Sequence, residues 1–398
     1  MNGPAVTGPF ALGAALAERE QAGLLRNRIA TDGASNGRLR VAGRDYLNFS
    51  ANDYLGLADH PAIKTAFKAG IERYSAGAGA SPLVTGYSRA HQELEETLAE
   101  WLGVEAVLLF NCGFSANQAV LKALLGKEHL LWQDKLNHAS LQEMGSQLPC
   151  KMKRFGHNDM AALERQLEPN RGLIVSEGVF SMDGDQGPWR ELAALAARSD
   201  NWLMIDDAHG LGVLGPEGRG TLAAQGVNPA CVHIQMGTFG KALGVAGAFV
   251  GGSRELVEYL VNFARHYVYS THMPEAQACA VSKSIELVRA ADEARAHLGK
   301  LIARFRQGAE ALGWQLGASN TPIQPLLVGE SSAALQLAER LRERGVWVSA
   351  IRPPTVPVGT ARLRITLSAA HRELDVDRLL DALGASPAAT TVREACHG

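Results

Sequence analysis

The chain has 398 residues, is 46% hydrophobic and 20% charged, and carries a formal net charge of −2. That length exceeds one minimal core and fits two domains, or one large α/β domain with a smaller companion. With no basic block and no apolar run of about 20 residues, neither nucleic acid nor a membrane is expected as a partner.

The opening Met1–Phe10 lacks the basic and apolar stretches of a secretory signal. The five cysteines (Cys112, Cys150, Cys231, Cys279, Cys396) are scattered, with no CxxC pair. Reduced thiols in a cytoplasmic setting fit that pattern better than a disulfide frame or a zinc site.

In chain order, 12–28 reads as an amphipathic helix, with Leu16, Leu24 and Leu25 for packing and a basic end at Arg26 and Arg28. A hairpin is predicted over 38–41 and 45–49, with Ala42, Gly43 and Arg44 at its turn. A helix over 61–74 and a glycine-rich loop from Gly77 to Gly86 come next, then a helix over 91–102. Apolar strands then alternate with helices. The strands are expected over 106–110, 129–132, 172–176, 202–205, 232–236 and 246–250, with helices starting near Ser115, Ala139, Met160 and Arg190. Uninterrupted apolar strands between amphipathic helices mark an α/β fold with a mostly parallel sheet covered on both faces. Helices over 255–263, 275–290 and 292–312 follow. An α+β section has strands over 323–328, 346–351 and 362–367 and helices over 332–344 and 372–383. The stretch 386–398 is expected to fray. The expected organisation is an N-terminal helix and hairpin segment (1–60), a large α/β domain (61–290) and a smaller C-terminal α+β domain (291–398).

Glycine loops on such a sheet invite a nucleotide. Gly212, Gly215, Gly218 and Gly220 do not make G-x-G-x-x-G, and Gly77 and Gly79 run into Pro82. A Walker A loop at Lys241 needs Gly at 235 and Ser or Thr at 242, where this chain has Gln235 and Ala242. Neither nucleotide motif is complete.

Lys241 lies in Gly237-Thr238-Phe239-Gly240-Lys241-Ala242, just after an apolar run. A lysine desolvated at a strand end is suited to carry a Schiff base, and a surface lysine in a glycine loop is the plainer alternative. Asp206, 35 residues earlier, ends the apolar run before Asp207-Ala208-His209. A carboxylate there needs a cationic partner, and the pyridinium nitrogen of pyridoxal phosphate is one. His209 would reach the phenolic oxygen of that ring. A metal site or a capped turn are the alternatives, and the lack of further clustered His or Cys counts against a metal. At Asn111–Asn117 a strand runs into a helix, so the Gly113 and Phe114 amides are candidates for a phosphate, against plain capping. Thr238 and either Ser270 or Thr271 would add hydroxyls. His138 begins another helix and would stack over the ring, and Ser181 follows a further strand.

Together, Asn111–Asn117, Asp134–Ser140, Glu177–Asp185, Asp206–Gly210 and Thr238–Lys241 resemble the α-oxoamine synthases, from about Leu12 to Leu383. The resemblance implies pyridoxal phosphate, the aspartate-aminotransferase fold with a seven-stranded sheet, and a homodimer with Thr271 reaching across. The segments Asn48–Leu57 and Ile351–Arg364 point to the branch that condenses L-alanine with a pimeloyl thioester, on acyl carrier protein or coenzyme A, in biotin biosynthesis. By the same resemblance Lys241 carries the Schiff base and moves the Cα proton, Asp206 holds the ring nitrogen, and His138 and His209 attend the ring. Arg364 is the candidate for the amino-acid carboxylate, with Arg362 expected on the opposite face of its strand. Arg26, Arg352 and Thr355 fit the acyl-substrate contacts, with Asn52 beside them. A relative using glycine or serine, an aminotransferase, and a binding protein without catalysis are the rival readings.

Overall fold

A computed structural model describes residues 10–386; of the stretch 386–398 expected to fray, Ser386 is buried and donates to the Ala382 carbonyl, and the rest, with Cys396, lies outside the described residues, as do the opening nine. The first helix, Leu12–Gln21, is shorter than expected and buries none of its residues, and Leu16 is 56% exposed. Gly23, at a φ of 65°, turns the chain out of the helix. Arg26 and Arg28 therefore lie on an irregular segment beyond the helix end.

Three short strands follow, β1 (Gly33–Ser35), β2 (Arg38–Val41) and β3 (Arg44–Asn48). Ala42 and Gly43 alone make the turn, both with positive φ (48° and 76°), the geometry that matches strand twist in a two-residue hairpin. Arg44 pairs with Val41 inside the ladder and does not belong to the turn.

The main sheet contains β4 (Ala106–Phe110), β5 (Leu130–Asp134), β6 (Lys151–Phe155), β7 (Gly172–Glu177), β8 (Trp202–Asp206), β9 (Ile234–Thr238) and β10 (Ala248–Gly252). Its order is β4-β10-β9-β8-β7-β5-β6, and β10 runs antiparallel to both of its neighbours while the other pairings are parallel. Side chains alternate between two cores. Leu131, Val175 and Met204 pack with Val120 and Leu141 on one face, and Trp132, Ile174 and Leu203 pack with Trp189 and Leu192 on the other. The strand β6 was not expected from sequence. It is an edge strand carrying Lys151, Lys153 and Arg154, so no apolar run announces it.

In the C-terminal section β11 (Ile323–Gly329), β12 (Val346–Trp347), β13 (Ser349–Ile351) and β14 (Ala361–Thr366) replace the three strands expected. The stretch 346–351 divides: β12 joins β3 in parallel, while β13 pairs with β14 in the order β11-β14-β13. The N-terminal hairpin thus shares a sheet with the C-terminal section. Among the described residues no helix is long and apolar enough to cross a membrane. What matters for chemistry is that β4, β5, β7, β8 and β9, all parallel to one another, end along one edge, where such sheets open a ligand crevice.

Candidate active site

Each strand end delivers one piece of the crevice. Asp206 is the last residue of β8 and is 5% exposed. Its Oδ2 accepts from Asn117 Nδ2 at 2.8 Å and its Oδ1 from the Ala208 amide at 3.1 Å. Asn117 Nδ2 also donates to Ser140 Oγ at 2.9 Å, and that hydroxyl lies 2.8 Å from His138 Nδ1. A fixed polar chain therefore ties Asp206 to His138. Nδ1 of His138 accepts from the Ser140 amide as it caps the helix Ala139–Gln147, which leaves the ring proton on Nε2. The ring opens on the crevice, edge-on to Phe114 at 6.3 Å. Desolvation by the surrounding walls lowers its pKa; Asp206 opposes this and Lys241 adds to it.

Lys241 follows β9 in a turn closed by the Gly244 amide on its own carbonyl at 2.9 Å. Among the described residues its amine has neither a hydrogen bond nor an ion pair. Desolvation pulls its pKa down to about 8, against the pull of Asp206 and Glu177. Glu177, the last residue of β7, is directly in register with Asp206 and 2% exposed, and its Oε1 is buried without a partner. Burial, then Asp206, raise its pKa well above the ordinary carboxylate value, against the pull of Lys241.

His209, 6% exposed, has Nδ1 2.5 Å from Tyr54 Oη. Burial holds the Tyr54 phenol up at about 12, so it stays a donor; burial also holds His209 well below its usual pKa. The imidazole is thus neutral, with its Nδ1 side taken up by Tyr54. Asp207, next to Asp206, is not part of this constellation. Both its oxygens are taken by Thr221, at 2.7 and 2.6 Å, which removes the Asp-Asp-Ala-His run as a ligand set.

At the β4 end, the helix Gly113–Leu124 starts without a side-chain cap from Cys112. A Cβ on Gly113 would lie 2.7 Å from Thr238 Cγ2, so only glycine lets this helix end approach the end of β9 so closely. The Thr238 hydroxyl is buried there with no partner. Gly240 is different: a Cβ there would meet only the Val245 carbonyl oxygen, at 3.9 Å, so packing does not demand glycine. Thr271 is exposed, and its carbonyl accepts from Asn111 Nδ2 at 2.8 Å.

Arg364 on β14 is 7% exposed and spans the two parts of the chain. Its Nε donates to the Ser181 carbonyl at 2.6 Å and its Nη1 to Asn52 Oδ1 at 3.1 Å and Thr366 Oγ1 at 3.0 Å. Its Nη2 has no acceptor among the described residues. Arg362 does not take the opposite face. Residues two apart share a face of a strand, and its Nη1 reaches Asp183 at 2.5 Å in the same loop. Arg26, Arg352 and Thr355 come together elsewhere. They line a cleft of about 860 Å³ with Leu24, Leu25 and Ile351, and its walls include none of Lys241, His138, Asp206 or His209. Arg26 Nη2 donates to Thr355 Oγ1 at 3.3 Å, and Arg352 donates to the carbonyls of Gly23 and Leu25.

The profile of the family "Aminotransferase class I and II" matches residues 44–383. An 8-amino-7-oxononanoate synthase from Aeromonas hydrophila is 89% identical over 398 residues, the full length of both chains. The chain belongs to the 8-amino-7-oxononanoate synthases. A solved structure of an 8-amino-7-oxononanoate synthase from Francisella tularensis is 27% identical, with a TM-score of 0.76, covering 85% of this chain and 97% of that one. A serine palmitoyltransferase variant from S. paucimobilis, solved with a bound aldimine of pyridoxal phosphate and myriocin, superposes with a TM-score of 0.88. It is 27% identical, over 94% of this chain and 96% of that one.

This synthase uses pyridoxal phosphate, and the crevice fits it. An unpartnered amine, an unpartnered Thr238 hydroxyl beside an uncapped helix N-terminus, and a carboxylate held ready for a cation are the three things that group needs. Sequence reading missed Tyr54, Asn117 and Glu177 as site residues. Glu177 carried the same signal as Asp206, an acid at the end of an apolar strand; Tyr54 and Asn117 carried none.

Proposed function

We propose that this crevice condenses L-alanine with a pimeloyl thioester, giving 8-amino-7-oxononanoate, CO2 and the free thiol. The amine of Lys241, unpartnered beside Asp206 and with its pKa down at about 8, is the observation that carries the reading. Pyridoxal phosphate, when bound, supplies an aldehyde for amines and a ring that takes up the electron pair left at Cα when a bond there breaks. Asp206 would hold the ring nitrogen protonated, the Gly113 and Phe114 amides with Thr238 would take the phosphate, and Ser181 would border the ring. His209 would donate to the phenolic oxygen. Lys241 removes the Cα proton of alanine and later returns a proton to the same carbon. Arg364, steadied by Asn52, would offer Nη2 to the alanine carboxylate, while His138 would cover the ring and turn its Nε2–H to the thioester carbonyl. Arg26, Arg352 and Thr355 receive the acyl chain.

The test is CO2 release from alanine, glycine and serine, each with the acyl carrier protein and coenzyme A thioesters. Turnover is expected with alanine alone. It should vanish in Lys241→Ala without change in folded content, and activity retained in that variant sinks the reading. Pyridoxal phosphate uptake by the apoprotein, followed by absorbance, should accelerate as pH rises through about 8, as the amine loses its proton.

The assembly we favour is a homodimer in which Thr271 adds its hydroxyl to the partner's phosphate site. Tyr269, two residues before it and 71% exposed, supports a face that is covered in the assembly. Sedimentation at about twice the 42.4 kDa chain mass checks it.

A further inference from the structure

Beneath the crevice lies a group that the proposed chemistry does not use. His157, in the turn after β6, stands between two carboxylates. Its Nδ1 is 3.2 Å from Asp134 Oδ1 and its Nε2 is 2.6 Å from Asp185 Oδ2. An imidazole facing an acceptor from each nitrogen satisfies both only as the cation. Burial alone would lower its pKa, but the hydrogen bonds to Asp134 and Asp185 and their charges outweigh that and raise it to about 10. The Phe180 ring meets the imidazole edge-on at 4.4 Å. Asn158, the next residue, completes the knot with bonds from its amide to Asp134 Oδ2 (2.8 Å) and from Nδ2 to Asp185 Oδ2 (3.1 Å) and the Gln186 carbonyl (3.1 Å).

The two carboxylates belong to the two loops that carry catalytic groups. Asp134 ends β5 and accepts from the Leu136 amide at 2.8 Å, two residues before His138. Asp185 closes the 180–185 loop, where its carbonyl accepts from the Phe180 amide at 2.9 Å. That loop presents Ser181 to Arg364 and Asp183 to Arg362. We infer that His157 is a positioning residue, a cationic clamp that holds the 180–185 loop against β5 and so fixes Arg364 for the amino-acid carboxylate.

The two sides of the clamp are unequal. Without His157, Asp134 keeps the amides of Leu136 and Asn158, so His138 stays in place. Asp185 keeps only Asn158 Nδ2, and its other oxygen already has no partner. Ser319 and Thr321 still hold the Gly184 carbonyl at 2.9 Å each, so the loop keeps its place on that side and the loss falls on its β5 side and on the Ser181–Arg364 bond. The acyl cleft, which none of these residues lines, is untouched.

This inference rests on the function proposed above, and the two fail separately. His157→Gln holoenzyme should show a KM for alanine raised about tenfold, with the KM for the thioester and pyridoxal phosphate uptake close to wild type. Asp185→Asn, which leaves His157 on Asp134, should show the same split and serves if the first variant folds poorly. Histidine NMR of the wild-type holoenzyme should show one imidazolium persisting at pH 8 and absent from His157→Gln. If both Michaelis constants rise together, or neither moves, or no imidazolium persists, the clamp is wrong. If the wild-type enzyme itself fails with alanine, the proposed function is wrong instead.

Discussion

The cofactor crevice and the acyl cleft are built in opposite ways. Around Asp206 the side chains are buried and bonded at 2.5–3.1 Å, with Asp206 on a strand end, Asn117 and Ser140 on helices packed on the sheet, and Tyr54 and His209 in turns. Around Arg26 and Arg352 the groups are exposed or half-buried. Arg26 is bonded to Thr355 and Arg352 to the carbonyls of Gly23 and Leu25, and these few bonds join an irregular N-terminal segment to the stretch after β13. Preorganisation is thus concentrated where charge changes during reaction. The part that only has to hold a chain is left adaptable.

Substitutions can break or sharpen that contrast. Asp206→Asn should have the largest effect of those that keep Lys241, lowering kcat by about 10²–10³ by loss of the fixed charge under the ring. Single-turnover rates and the visible spectrum of the bound cofactor check it. A loss below tenfold would show that the crevice does not depend on this anion. Arg352→Ala should raise the KM for the thioester by about tenfold with kcat nearly unchanged, the pattern of binding felt equally in ground and transition states. Arg26→Ala, exposed and bonded only to a hydroxyl, should raise it about threefold or less. Should either arginine lower kcat as strongly as Asp206→Asn, the two regions are one functional unit and the contrast falls.

Much of this was legible beforehand because it is local. The alternation of apolar runs with amphipathic segments gave the order of elements, and acids, lysine and glycines at the ends of those runs marked Asp206, Lys241 and Gly113. Local pattern failed where an element lacks its usual signature. The edge strand β6 is too charged to read as a strand, and the exposed helix Leu12–Gln21 is ended by the turn at Gly23 just before Leu24 and Leu25, the apolar residues expected to extend it. The misplacement of Arg362 was different in kind, since the two-residue period of a strand already put it on the face of Arg364.

By itself, then, the sequence determined the α/β alternation, the crevice at the strand ends and the residue types in it, since periodicity and strand-end chemistry are properties of neighbouring residues. Only the tertiary structure decided which of those groups are charged and which are held still. Tyr54 meets His209 from 155 residues away, and Arg364 meets Ser181 across 183. The pKa of His157 is pushed up to about 10 and that of Glu177 well above its ordinary value because of what surrounds them in space. Protonation follows burial and facing charge, and those depend on which loops the fold brings together.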